Sequence, residues 1–220
     1  MRTTATLVAA GALAVMPACR LAAQHFSVGP QIAFGDYRET TSDLHFRGAG
    51  LGAKASVLWK KFSADVWLSK INYKPHGDSA LADFDASEVN VQLRYFISGP
   101  FSAELGFMNR KADPEFEAQS MGALTAGAQM SHLLGPGVRM ALDGGVLFGP
   151  KFSGGGSISP LGAVRLGLGL TVDALKGRLH VVGDYEFQSV SRKTDDGSGS
   201  PALPAPIQQS LGRIGLAIAF

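Results

Sequence analysis

The residues that could do chemistry are few. His180, Asp184 and Glu186 fall on alternate positions of one stretch and so share one face of a strand. His180 and Asp184 would then lie about 13 Å apart, too far for the direct hydrogen bond that a general acid–base pair requires. His180 reads better as a hydrogen-bond partner in the lumen. Ser131 and His132 are adjacent, and adjacent strand residues point to opposite faces, so they cannot form a nucleophile–base couple. Lys74-Pro75-His76-Gly77-Asp78, with Asp83 and Asp85 beyond, offers oxygen ligands without calcium-loop spacing. Gly154-Gly155-Gly156 lacks the Lys-Ser/Thr and helix of a phosphate cradle. The expectation is a protein that is not an enzyme, with no catalytic residues, no cofactor and no metal site.

The elements that would position these residues follow from composition and periodicity. The chain has 220 residues, 28 of them glycine, and a formal net charge of +2. Arg2 and Arg20 are the only charged residues among the first 24; the remainder carries 18 basic and 18 acidic side chains. That balance, without a basic cluster, argues against a nucleic-acid partner. Residues 1–24 read as a secretory signal: Arg2, an apolar run at 7–16, then Ala18, Ala22 and Ala23. The single cysteine, Cys19, falls inside this segment, where a lipobox is a second reading. Residues 25–220 then form one domain, and no later stretch is apolar over the roughly 20 residues of a spanning helix.

From there the chain alternates. Apolar residues recur every second position at 26–34, 49–59, 62–68, 88–97, 101–107, 124–130, 138–148, 164–172, 179–187 and 210–220. This predicts an all-β fold, an up-and-down antiparallel barrel of ten strands, with eight as the alternative. Pro30 removes a ladder hydrogen bond, so a bulge is expected there. The alternation of the third strand fails after Ser69, which predicts a bulge or an early exit. Connectors alternate between short turns and longer polar loops at 38–45, 74–85, 109–118, 149–159 and 190–206. Lys54, Asp65, Glu88, Arg94, Glu104, Arg139, Asp143, Arg165, Asp184, Glu186 and Arg213 all fall on the parity opposite the apolar set. A basic side chain facing mid-bilayer lipid costs about 2–4 kcal/mol, so these eleven are expected inside, pairing in a mostly filled polar lumen. Aromatic residues sort toward strand ends, as they do at membrane interfaces.

The last stretch, with Ile214, Leu216, Ile218 and Phe220 on one parity and an aromatic at the end, resembles the final strand of bacterial outer-membrane β-barrel proteins. With the signal segment, the alternation and the loop asymmetry, the whole mature chain resembles the small barrels of the OmpA, OmpX and OmpW type; ten strands departs from the eight usual in that group. The resemblance implies export to the cell outer membrane, contact with outer-membrane lipid, and recognition of Ile214, Leu216, Ile218 and Phe220 by periplasmic chaperones and the barrel-assembly machinery. The omptin proteases also have ten strands, but their acid/histidine site has no counterpart in the spacing described above. The reading that results is a structural or surface-interaction protein of the envelope, its surface ligand open. The alternatives are a small passive pore, and a secreted soluble barrel holding an apolar ligand, which would need the apolar parity to face inward.

Overall fold

A sheet can enter lipid only if no backbone hydrogen-bonding group is left at an open edge. In the computed structural model, which describes residues 25–42, 44–77, 81–113, 116–155, 157–194 and 203–220, the sheet meets this condition by closing on itself. Ten long strands form the wall: β1 (His25–Glu39), β2 (Leu44–Trp59), β3 (Phe62–Pro75), β4 (Phe84–Ser98), β5 (Phe101–Asp113), β6 (Met121–Gly135), β7 (Val138–Phe152), β8 (Ser157–Ala174), β9 (Leu179–Thr194) and β11 (Ile207–Ala219). The two-residue β10 (Leu203–Pro204) pairs with β9 in line with β11. Each strand pairs antiparallel with the next, and β11 pairs with both β9 and β1, which closes the barrel. The expected signal segment, Cys19 included, lies outside the described residues.

Register sets the tilt. Followed once around the wall from Phe26, the pairing returns to β1 at Arg38. With ten strands about 4.8 Å apart, that stagger tilts them by about 40°.

The strands are joined at one end by short turns. Lys60 (φ 54°) and Gly99 (φ 55°) take positive φ at the first position of two-residue loops, as the primed hairpin turns require, whereas Gly137 (φ 74°) follows Pro136 as in a type II turn. At the other end the strands run further than their apolar alternation indicates. β1 extends to Glu39, β2 begins at Leu44 and β4 at Phe84, so much of what reads as loop in the sequence is wall.

Two local expectations are corrected. Pro30 causes no bulge: β1 keeps one register against β2 through the Pro30–Ala53 pair, and only the rungs to β11 at Gly29 and Pro30 are missing. β3 neither bulges nor leaves the sheet after Ser69; its register against β2 and β4 is unbroken to Tyr73. What changes at Ser69 is polarity. Ala64, Val66 and Leu68 face outward, and then Lys70, Asn72 and Lys74 do so, while the inward side gains Ile71 and Tyr73.

That inversion runs round the wall. Below it, large apolar side chains face out: Leu51 is 73 % exposed, Leu105 64 % and Ile214 60 %. Above it, the exposed outward positions carry Arg38, Arg47, Lys70, Lys74 and Lys111. Tyr73, Phe46, Phe84, Met108, Met121 and Ile207 are buried inside. A sheet hydrated outside must hide its hydrocarbon within, and a sheet in lipid must do the reverse. Outward aromatics mark both limits of the lower band: Trp59, Phe62, Tyr95, Phe101 and Phe220 at the turn end, and Phe34, Phe107, Phe148 and Tyr185 at the inversion.

Above the inversion the outer face carries ordinary surface pairs. Lys70 Nζ lies 2.8 Å from Asp85 Oδ2, and Asn72 donates to Asp85 Oδ1 at 2.9 Å. The hydrogen bond from Lys70 and then that from Asn72 hold the Asp85 carboxyl below its ordinary range. A carboxylate with a depressed folded-state pKa stabilises the fold above its unfolded pKa, and this contribution is lost as pH falls through the folded value. Asp85→Asn is therefore expected to cost under about 1 kcal/mol at pH 7 and to converge on the wild type once the pH is below the folded-state pKa of Asp85. Urea unfolding at a series of pH values reads this directly.

Candidate functional site

Among the described residues, the interior concentrates the buried polar side chains. It is built because alternate residues of each strand point inward and glycine leaves room for the long ones. A Cβ at Gly167 would lie 2.1 Å from an Asp143 carboxylate oxygen, so glycine there leaves room for the Asp143 side chain to cross over it.

From the turn end the lumen begins as a cavity of about 480 Å³. Its walls carry His25, Ser63, Trp67, Arg139 and His180. His180 Nδ1 lies 2.6 Å from Asp173 Oδ1, and its ring meets His25 edge-on at 6.2 Å. His180 thus has a hydrogen-bond partner on the adjoining strand, whereas Asp184 and Glu186 turn to other partners. Exposed His132 faces outward on β6.

Above the cavity lies a layer of ion pairs. Lys54 Nζ reaches Asp184 Oδ1 at 3.2 Å, and Gln31 donates to the other oxygen at 3.3 Å. Arg94 pairs with Asp65 and Glu104. Arg165 Nη2 meets Glu104 at 3.0 Å and Asp143 at 2.9 Å. Arg213 pairs with Glu88 at 3.1 Å and Glu186 at 3.6 Å. Ten of the eleven charges placed inside from the sequence are joined in this way; Arg139 lies exposed at the cavity and makes no ion pair among the described residues. Several links join strands that are not neighbours: β2 to β9, β5 to β8 and β4 to β11. Such pairs cross the lumen rather than line it.

Beyond this layer the interior becomes apolar. Tyr73 stacks on Phe84 at 5.0 Å, and Phe46 meets Phe84 edge-on at 5.1 Å. Phe116, from the segment between β5 and β6, folds in against Phe84 at 4.7 Å and Phe46 at 5.0 Å. Two buried arginines enter this core. Arg110 lies over the Tyr37 ring at 5.6 Å. Arg192 lies over Phe152 at 4.5 Å and donates to Gln119 Oε1 and the Gly155 carbonyl. Gln119 in turn donates to Glu39 at 3.1 Å.

Sequence reasoning missed this core, together with Arg110, Arg192 and Glu39, because it ended the strands where outward apolar residues stopped. The signal was present in β3, where Ile71 and Tyr73 change parity in an otherwise continuous strand. No group of three or more metal-ligating side chains comes together among the described residues.

The wall and interior define a closed, ten-stranded, up-and-down β-barrel with an apolar outer band and a lumen crossed by ion pairs. No family model and no curated protein matches the chain. Among solved structures it is similar to the outer membrane protein OprG from Pseudomonas aeruginosa, at 11 % identity and a TM-score of 0.43, covering 90 % of this chain and 96 % of that one. It is also similar to Neisserial surface protein A, at 11 % identity and a TM-score of 0.41, covering 89 % of this chain and 97 % of that one. A third similarity is to the translocator domain of the autotransporter NalP from Neisseria meningitidis, at 13 % identity and a TM-score of 0.42, covering 99 % of each chain.

Proposed function

We propose that this protein is a non-enzymatic barrel of the bacterial outer membrane that does not conduct, with its short turns toward the periplasm and its long-loop end toward the exterior. The observation that carries this is the inversion at Ser69 and the equivalent positions. One continuous sheet turns hydrocarbon outward over one part of its height and inward over the rest, which suits a wall standing in lipid and then in water. The apolar band faces outward, opposite to what a secreted barrel with an apolar ligand inside requires. The crossing ion pairs and the aromatic core above them block a solute path, and no ring of one charge sign is present among the described residues to select an ion.

On this reading the protein presents its outer rim to ligands or to other surfaces, and Ile214, Leu216, Ile218 and Phe220 serve the chaperones and assembly machinery during insertion. The first test is in two parts. The folded protein is expected to migrate faster unboiled than boiled on a denaturing gel, from membrane fractions. Reconstituted in a planar bilayer, it is expected to be silent. Steady single-channel steps from the wild type would overturn the sealed-lumen reading, and recovery of a soluble protein without detergent would overturn the membrane reading.

A further inference from the structure

The cavity at the turn end has one way in. The ion-pair layer closes its inner end, and the aromatic core fills the lumen beyond. Its volume of about 480 Å³ is that of a small-molecule pocket. Small residues keep it wide. Gly169 lines it from β8, and a Cβ built there would make only ordinary contacts, 3.6 Å from Ala141 and 3.7 Å from Asp184. Packing alone would therefore admit a side chain at Gly169, and glycine leaves that space to the cavity.

The wall of this cavity is rich in hydroxyls. Ser27 on β1, Ser56 on β2, Ser63 on β3, Ser131 on β6 and Thr171 on β8 all line it, each within four residues of the turn end of its strand. Ser27 stands opposite Ser56 in the register, and Thr171 stands opposite Arg139. Two polar groups of the wall are buried and unanswered. Trp67 is 6 % exposed and its indole N–H has no acceptor, and Ser63 Oγ has no partner among the described residues. A buried donor without an acceptor is costly. The acceptors that these groups lack must come from water or from a ligand.

Charge favours a ligand. Every carboxylate that lines the cavity already has a basic partner: Asp65 has Arg94, Asp143 has Arg165, Asp184 has Lys54, Glu186 has Arg213 and Asp173 has His180. A cationic ligand would find no free counter-charge among them. Arg139 is the exception on the basic side, exposed at the mouth with no carboxylate partner among the described residues. Water can serve the hydroxyls but does not neutralise this guanidinium, and a charge in a cleft with low-dielectric walls is weakly screened. Guanidinium groups bind carboxylates through paired, charge-assisted hydrogen bonds.

We infer that the turn-end cavity binds a small hydroxylated organic anion of the sugar-acid class, with its carboxylate on Arg139 and its hydroxyls among those of the wall. Entry is from the turn side, which the reading above places toward the periplasm; binding itself does not depend on that placement. The full chain, folded in detergent, is titrated with gluconate, with gluconamide, which has the same hydroxyls and no charge, and with acetate, which has the carboxylate and no hydroxyls. Affinities are read from saturation-transfer NMR. The wild type is expected to bind gluconate about tenfold more tightly than either control. Arg139→Gln is expected to bring gluconate down to the affinity of gluconamide, and Arg139→Lys to restore part of the difference, both with the heat-dependent gel shift of the wild type. The chain has two tryptophans, so Trp59→Phe leaves Trp67 as the reporter, and its emission is expected to change as gluconate saturates. Equal affinity of the wild type for gluconate and gluconamide would mean a water-filled vestibule, and equal affinity for gluconate and acetate a bare anion site; either overturns the inference, as does full gluconate affinity in Arg139→Gln. Channel steps in a planar bilayer would instead sink the sealed-lumen reading, and the affinities measured in detergent would still decide the pocket.

Discussion

Replacing Glu104 by alanine is expected to destabilise the barrel by about 3–5 kcal/mol, among the largest single-residue losses available to this fold. Glu104 is buried on β5 and its two oxygens serve two guanidinium groups, Arg94 on β4 and Arg165 on β8. Removing it leaves two cations facing each other in a lumen closed above by hydrocarbon. Asp65 and Asp143 remain as partners, one for each arginine, so the layer is weakened rather than dissolved. Breaking a buried pair costs more than the pair contributes net, because the desolvation of the survivors is no longer offset. The companion variant Glu104→Ala/Arg165→Leu, which removes an anion and a cation together, is therefore expected to recover much of the loss. Urea unfolding of the two variants in lipid vesicles measures this. If the double variant is no more stable than the single one, Arg165 is not the group left stranded.

The second large effect concerns the inversion. Phe84→Ala is expected to cost about 3–5 kcal/mol, since Phe84 is 4 % exposed and touches Tyr37, Phe46, Tyr73 and Phe116. The cost arises from a cavity in a water-surrounded core, as in a soluble protein. On the outer face the solvent decides. Leu105→Lys, between the outward Phe101 and Phe107 on β5, places a cation in mid-band and, on the membrane reading, is expected to cost about 2–4 kcal/mol. Lys70→Leu, one row above the boundary, is expected to change stability by no more than about 0.5 kcal/mol. If the proposed membrane reading holds, unfolding midpoints of the three variants locate the lipid boundary on the wall. A Lys70→Leu variant stabilised as strongly as Leu105→Lys is destabilised would move that boundary above Lys70.

The strands, their number and their two faces were legible in the sequence because side-chain period in a strand is two. A basic residue such as Lys54, Arg94 or Arg213 cannot share a face with Leu51, Leu93 or Ile214 in lipid, so the inward set could be named residue by residue. The closed, ten-stranded fold followed from that alternation and from the spacing of turns such as Lys60-Lys61 and Ser98-Gly99-Pro100.

Alternation says which face a residue occupies and nothing about which residue meets it across the lumen. That Arg165 joins β8 to β5, or Arg213 β11 to β4, depends on the stagger that returns Phe26 to Arg38 after one circuit, and only the closed sheet fixes it. Nor does period alone reveal that hydrocarbon changes sides at Ser69. The strand continues there unbroken and only its surroundings change, so a pattern read against a single solvent reports the end of a strand. The tertiary structure supplies the missing term, because Tyr73, Phe84 and Phe116 can be seen to fill one another's space.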